Sequence, residues 1–145
     1  MEALSVDEIP SGKEWQYEPK WDGFRTILRR NGSRIELQSK SGQSLTRYYP
    51  ELIAAARAIK ARQFALDGEI VVPTGKAFSF DDLLQRIHPA ASRVAKLSKE
   101  TPAVLIVFDL LADETGKPLV KLPLEQRRVA LERFAKTYLR GHKSF

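Results

Sequence analysis

The dipeptide Asn31-Gly32 constrains what this chain can fold into more than any other feature. It separates two runs that alternate. In the first, Phe24, Thr26 and Leu28 alternate with Arg25, Ile27 and Arg29; in the second, Ile35 and Leu37 keep the same period. An Asn-Gly pair readily takes the positive φ angles of a tight hairpin turn, so residues 24–39 are expected to form a β-hairpin. Some strand pairing must therefore be antiparallel. The rest of the chain interleaves strands with helices, and the fold class expected is α+β: a mixed, largely antiparallel sheet with flanking helices.

Six further elements are expected. Residues 49–59 read as a helix opened by Pro50, and residues 64–72 as a strand closed by Pro73, Thr74 and Gly75. Residues 80–87 form a short helix with Ser79 as N-cap, and residues 90–99 a second one. Residues 104–111 are an apolar, β-branched run broken by one acid, Asp109, which suits a buried strand. Pro123 then begins an amphipathic helix, with Leu124, Leu131, Phe134, Ala135 and Tyr138 on one face. No repeat, low-complexity tract or linker interrupts the 145 residues, so one domain over 1–145 is expected.

Composition narrows the partners. A net charge of +6 favours a polyanion, through phosphate contacts and counterion release. The chain has no cysteine, which excludes disulfides and thiolate metal sites and fits a cytoplasmic location. No apolar run is long enough to span a membrane and no secretory signal is visible, so no membrane partner is expected. His88 and His142 lie far apart in sequence and suggest no metal site.

The chemistry-bearing stretch is Glu18-Pro19-Lys20-Trp21-Asp22-Gly23-Phe24-Arg25. A nucleophilic lysine must be deprotonated, so burial or a nearby cation has to lower its pKa. Arg25 is such a cation. Gly23 lets the backbone approach a ligand closely. Downstream, Asp67-Gly68-Glu69 precedes an apolar strand segment, which sets its two acids against apolar residues. Asp109, within an apolar run, needs a partner.

Lys20-Trp21-Asp22-Gly23-Phe24-Arg25 resembles the Lys-x-Asp-Gly-x-Arg signature of the covalent nucleotidyltransferases, the superfamily of DNA ligases, RNA ligases and mRNA capping enzymes. Three further blocks follow in the family's order: Ser39-Lys40-Ser41-Gly42, Leu66-Asp67-Gly68-Glu69-Ile70-Val71 and Val107-Phe108-Asp109-Leu110-Leu111. Longer stretches, Leu45-Thr46-Arg47-Tyr48-Tyr49-Pro50-Glu51-Leu52 and Gln85-Arg86-Ile87-His88-Pro89-Ala90-Ala91-Ser92-Arg93, resemble small bacterial ATP-dependent DNA ligases of the C type, which are related to the ligase domain of the bacterial end-joining enzyme. The resemblance implies an ATP-grasp-like nucleotidyltransferase subdomain, with ATP and Mg2+ as cofactors and nicked or broken double-stranded DNA as partner. It also implies a role in DNA repair and a cytoplasmic, nucleoid-associated place in a bacterial cell.

The same resemblance assigns roles. Lys20 would carry AMP. Glu18, through its carboxylate or a backbone carbonyl, would accept the adenine amine; Arg25 would contact the ribose or phosphate. Trp21 would lie at the nucleotide, Glu69 near the ribose and metal, and Phe108 against the purine. Lys40 and Arg47 would contact DNA phosphate, with lysine at position 40 keeping the family's charge but not its bidentate fork. Asp22, Gly23, Asp67 and Asp109 would support the site.

Two later family blocks, Glu-Gly-x-Val-x-Lys and a Lys-x-Lys pair, do not occur in the 145 residues, nor does the family's OB-fold domain. The chain is therefore expected to be a partial adenylation domain, impaired or inactive by itself, with a truncated face open to self-association. Two alternative readings are an RNA ligase or capping-type transferase, and a non-catalytic DNA- or partner-binding module.

Overall fold

The computed structural model describes residues 6–145; the first five residues of the expected domain lie outside the described residues. Its centre is a four-stranded sheet of order β2-β1-β3-β6, antiparallel at every pairing. The strands are β1 (Phe24–Asn31), β2 (Arg34–Ser39), β3 (Gln63–Val71) and β6 (Val104–Ala112). A small hairpin, β4 (Pro73–Thr74) with β5 (Ala77–Phe78), follows β3. Among the described residues there are four α-helices, α1 (Pro50–Ala58), α2 (Phe80–Gln85), α3 (Ala91–Glu100) and α4 (Leu124–Phe134), and a 3-10 turn at Thr46–Tyr48. A π turn, Ala135–Leu139, extends α4. The α+β expectation holds.

The hairpin forms, with its turn shifted by one residue. Asn31 pairs with Arg34, so the loop residues are Gly32 and Ser33. Only Gly32 has positive φ, at 61°. A glycine in the first loop position with an ordinary residue in the second is the II′ pattern, not the I′ turn that Asn-Gly suggests. Gly32 also donates its N–H to the Arg62 carbonyl at 2.7 Å, which ties the turn to the segment after α1.

Alternation gives the sheet two faces. Thr26 and Leu28 on β1, Ile35 and Leu37 on β2, and Phe64, Leu66 and Ile70 on β3 are buried. The apolar members pack with Leu52 and Ala56 of α1, Leu83 of α2 and Leu131 and Phe134 of α4 in one hydrophobic cluster. The Phe64 and Phe134 rings meet edge to face at 5.3 Å. Each fully buried leucine here stabilises the fold by roughly 1.5–3 kcal/mol relative to exposure. The opposite face carries Arg25, Ile27, Asp67 and Glu69, and this is the face that holds the site.

Three other expectations are refined. β6 is one of the two edge strands of the sheet and most of its residues are only partly buried, so it is not a strand buried on both faces. Residues 73–75 do not simply end β3; with Gly75 at φ 61° they turn into the β4–β5 hairpin. Pro123 is the N-cap of α4, whose first residue is Leu124, one position after the expected start. Ser79 caps α2 as expected, its hydroxyl accepting from the Asp82 N–H at 3.1 Å.

Candidate active site

Register brings the first and third sequence blocks together. Arg25 on β1 stands directly opposite Glu69 on β3, and Thr26 stands opposite Gly68. From there Arg25 reaches diagonally to Asp67, donating from Nε at 3.2 Å and from Nη2 at 2.8 Å to the two carboxylate oxygens. A two-point guanidinium–carboxylate contact of this kind fixes the plane as well as the position of the arginine. Glu69 accepts from the backbone N–H of Gly23. Burial raises the pKa of its carboxyl above the ordinary value, against the lowering effects of that N–H and of Arg25 and Lys20.

Gly23 is needed for close approach, not for a special φ. A Cβ there would run into the Ile70 carbonyl oxygen and lie 2.9 Å from Glu69 Cγ. Gly68 is similarly tight, since a Cβ there would lie 2.6 Å from the Ile106 carbonyl oxygen. The two glycines let β1, β3 and β6 close around the Asp67–Glu69 pair.

Phe108 lies at an irregularity. Asp67 pairs with Asp109 and Gly68 with Val107, so Phe108 is the extra residue of a β-bulge. Bulges re-aim side chains at the edges of sites. Here the ring is half-buried and sits under the Arg25 guanidinium, 5.6 Å from ring centroid to Cζ. Asp109 does find the partner its burial demanded: Arg127 of α4 donates from Nε to both carboxylate oxygens at 3.0 and 3.1 Å. That hydrogen bond, against desolvation, raises the arginine pKa.

Lys20 precedes β1 in an irregular segment. Its side chain is 86% exposed, with Asp22 at 4.0 Å. Of the two devices expected to activate it, burial is not present. Glu18 is already engaged: its carboxylate accepts from Gln16 Nε2 at 2.6 Å and from Arg128 Nη1 of α4 at 3.3 Å. Trp21 packs edge to face on Phe78 of β5 at 5.5 Å, so the small hairpin props the signature segment.

Lys40 lies in the turn after β2, in an open cleft of about 740 Å3 shared with Gly23, Arg25, Glu69, Leu45, Tyr48 and Ile87. Arg47, the other expected phosphate contact, does not line it. Its Nη2 donates to the Pro89 carbonyl at 2.7 Å and its guanidinium covers the Tyr48 ring at 4.9 Å. It clamps the loop after α2 to the segment before α1.

The sequence signals missed Arg127 and Arg128, which lie on α4 and anchor Asp109 and Glu18; no local signal marks them out among 24 basic residues. They also missed Tyr48 and Ile87 as cleft walls, although both fall inside the longer stretches singled out above.

A lysine before a strand, an arginine–aspartate pair and a half-buried glutamate thus lie beside one open, partly basic cleft. Residues 3–141 match the family model described as ATP dependent DNA ligase domain, and the chain belongs to that family. It is 49% identical over 136 residues to DNA ligase C2 of Mycolicibacterium smegmatis, covering 91% of this chain and 36% of the relative. It is 48% identical over 135 residues to DNA ligase C of Mycobacterium tuberculosis, covering 90% of this chain and 36% of the relative. A solved structure described as mycobacterial DNA ligase D complexed with ATP and MES superposes with a TM-score of 0.65 at 29% identity, over 84% of this chain and 37% of that one. The chain thus spans about a third of the length of the curated relatives it matches. Among the described residues, no helix is long and apolar enough to cross a membrane.

Proposed function

We propose that this chain supplies the nucleophile half of an ATP-dependent DNA-sealing site, in which Lys20 becomes linked to AMP. The observation that carries the reading is the register of β1 and β3, which sets Arg25 opposite Glu69 and locks it to Asp67 immediately after the lysine segment. Lys20 Nζ attacks the α-phosphorus of ATP; a phosphorus–nitrogen bond forms, the bond to the bridging oxygen breaks, and pyrophosphate leaves. AMP then passes to a 5′-phosphate at a nick, and a 3′-hydroxyl displaces it.

The chain's own residues divide the work. Arg25, held flat by Asp67, presents the cleft side of its guanidinium to ribose or phosphate oxygens. Phe108, aimed by the bulge, offers an apolar surface to the purine. Glu18 recognises the adenine amine through its backbone carbonyl, since its carboxylate is held by Arg128. Lys40 faces the cleft as a phosphate contact, and Arg47 acts on the cleft indirectly by clamping its walls.

No group of three acidic or histidine side chains able to cage a metal occurs among the described residues. Asp67 is committed to Arg25, which leaves Glu69, on the cleft wall, and Asp22, 4.0 Å from Lys20, as the carboxylates near the lysine. That donor set fits Mg2+, which keeps most of its waters and binds through one or two carboxylates plus substrate phosphates. Bound there with the triphosphate, Mg2+ would offset phosphate charge.

We also propose that these 145 residues transfer AMP weakly by themselves, because they hold no Glu-Gly-x-Val-x-Lys or Lys-x-Lys block to stabilise the phosphate side. Removing one such stabilising group costs about 2.7–4 kcal/mol of barrier. Incubation with α-labelled ATP and Mg2+, then denaturing electrophoresis, tests both statements. Weak labelling that disappears in Lys20→Ala is expected. Label that survives Lys20→Ala overturns the assignment of the nucleophile; labelling as rapid as that of a full-length ligase overturns the second statement.

A further inference from the structure

Six of the 24 basic residues fall in two short segments, 29–34 and 57–62, and neither segment contains an Asp or Glu. The fold joins them into one surface. Gly32 of the hairpin turn bonds the Arg62 carbonyl, and Arg30 Nη1 donates to the Ala56 and Ile59 carbonyls at 2.8 and 2.5 Å. Arg30 is buried and serves the fold, capping the end of α1. Burial, together with Arg62 and Arg57 close by, holds its pKa below the usual arginine value.

The other five, Arg29, Arg34, Arg57, Lys60 and Arg62, are exposed. Arg34 pairs with Glu36 at 2.6 Å. Arg29, Arg57, Lys60 and Arg62 make no ion pair among the described residues. An open cleft lined by Arg29, Arg34, Asn31, Gln63 and the Glu36 that pairs with Arg34 runs beside the turn. Clustering like charges around a buried arginine opposes folding, and nothing in the packing requires cations at the exposed positions. Such a row of exposed cations attracts an anion.

The position selects the anion. The patch is at the far end of β1 from the lysine segment. Arg25 and the turn are separated by about six residues of strand, roughly 20 Å at ~3.3 Å per residue. A free phosphate or nucleotide bound beside Lys20 does not reach that far. A DNA strand with one phosphate per ~3.4 Å of helix axis does, about six base pairs from the reacting end.

We propose that the hairpin turn and the segment after α1 form a second DNA-binding surface, which grips the duplex backbone about six base pairs from the nick. The proposal rests on the reading of this chain as part of a DNA-sealing site. It is tested separately from it, because its readout is binding and not AMP transfer.

The test uses this chain with a nicked duplex, and compares Arg57→Ala/Lys60→Ala/Arg62→Ala with a control of equal charge change, Lys99→Ala/Lys121→Ala/Lys136→Ala, at exposed positions elsewhere. Affinity is measured across a salt series. The patch variant should show a salt slope shallower than the control's by ~0.9 for every phosphate that the patch no longer neutralises, about two units or more in total. Lys20-dependent labelling should be the same in both. The difference should vanish when one duplex arm is cut to fewer than about six base pairs. Equal slopes for patch and control variants, or a difference that persists on the shortened duplexes, overturn the proposal. So does a patch variant that loses binding to anionic phospholipid vesicles but not to DNA. If labelling never depends on Lys20 while the slope difference stands, the sealing reading fails and the DNA-binding surface survives.

Discussion

Arg25–Asp67 and Arg86–Glu51 are the same chemical pair in two settings. Arg86 has no exposed surface at all; its guanidinium meets both Glu51 oxygens, the Thr101 carbonyl at 3.0 Å and the Tyr48 carbonyl at 3.0 Å, and lies over the Tyr49 ring. Glu51 in turn accepts from the Ala103 N–H at 3.0 Å. The cluster ties α1, α2, the end of α3 and the approach to β6 into one unit. Arg25 keeps 29% of its side chain exposed, is held by both oxygens of one carboxylate, and lines the open cleft. A pair whose arginine is wholly buried and whose glutamate is only 15% exposed serves to hold the fold. A pair that keeps part of its surface at a cleft is held by the fold and can meet a ligand.

Breaking the buried pair should have the largest effect on stability. Arg86→Met leaves Glu51 charged and nearly enclosed, and loss of one partner of a buried pair costs about 3–5 kcal/mol. Denaturant titration should show that loss, and Arg86→Met with Glu51→Leu should recover part of it. If Arg86→Met unfolds at the wild-type midpoint, the contrast between the two pairs is wrong.

Asp67→Asn should cost less, about 1–3 kcal/mol, because an amide still accepts one arginine bond and Arg25 can turn to water. Its sharper consequence is chemical. With Arg25 no longer held flat, Lys20-dependent labelling should fall by a larger factor than stability explains, at a temperature where the variant is fully folded. Labelling equal to wild type would move Arg25 from the site to the scaffold.

The smallest effect is a pH dependence at Glu69. Burial raises its folded pKa above the unfolded value. The folded state therefore binds more protons than the unfolded state between those two values, and stability falls as pH rises through that window. Glu69→Gln removes this dependence. The stability of Glu69→Gln relative to wild type should increase as pH climbs above the ordinary glutamate range and then level off. A constant difference across that range would mean that Glu69 is solvated like a surface acid.

Local signals carried the elements that depend on local physics. Period-two alternation located β1 and β2, Ser79 capped α2, and the apolar stripe of α4 faces the core as its spacing requires. The turn was off by one residue, because Asn31 pairs with Arg34 in the ladder instead of taking a left-handed turn position. β6 looked buried because its residues are apolar, yet nothing in a strand's own sequence says whether a neighbour lies on each side of it. Within the site, the lysine block and the Asp67–Glu69 block were legible as words. Their meeting was not, since Arg25 and Glu69 are opposed only through the register of two strands separated by β2 and α1. Arg127 and Arg128 were invisible for the same reason: a long, exposed-looking arginine shows its role only when the helix that carries it is docked.

The sequence alone determined the family, the hairpin, the identity of Lys20 as the candidate nucleophile and the basic character of the chain. These rest on residue types and short spacings, which need no third dimension. The tertiary structure decided which carboxylate each arginine serves, that Phe108 is turned by a bulge, that Lys20 lies in solvent, and that two separate basic segments form one patch. Most of these depend on residues far apart in the chain, brought together by strand register and helix docking, and no local pattern encodes them.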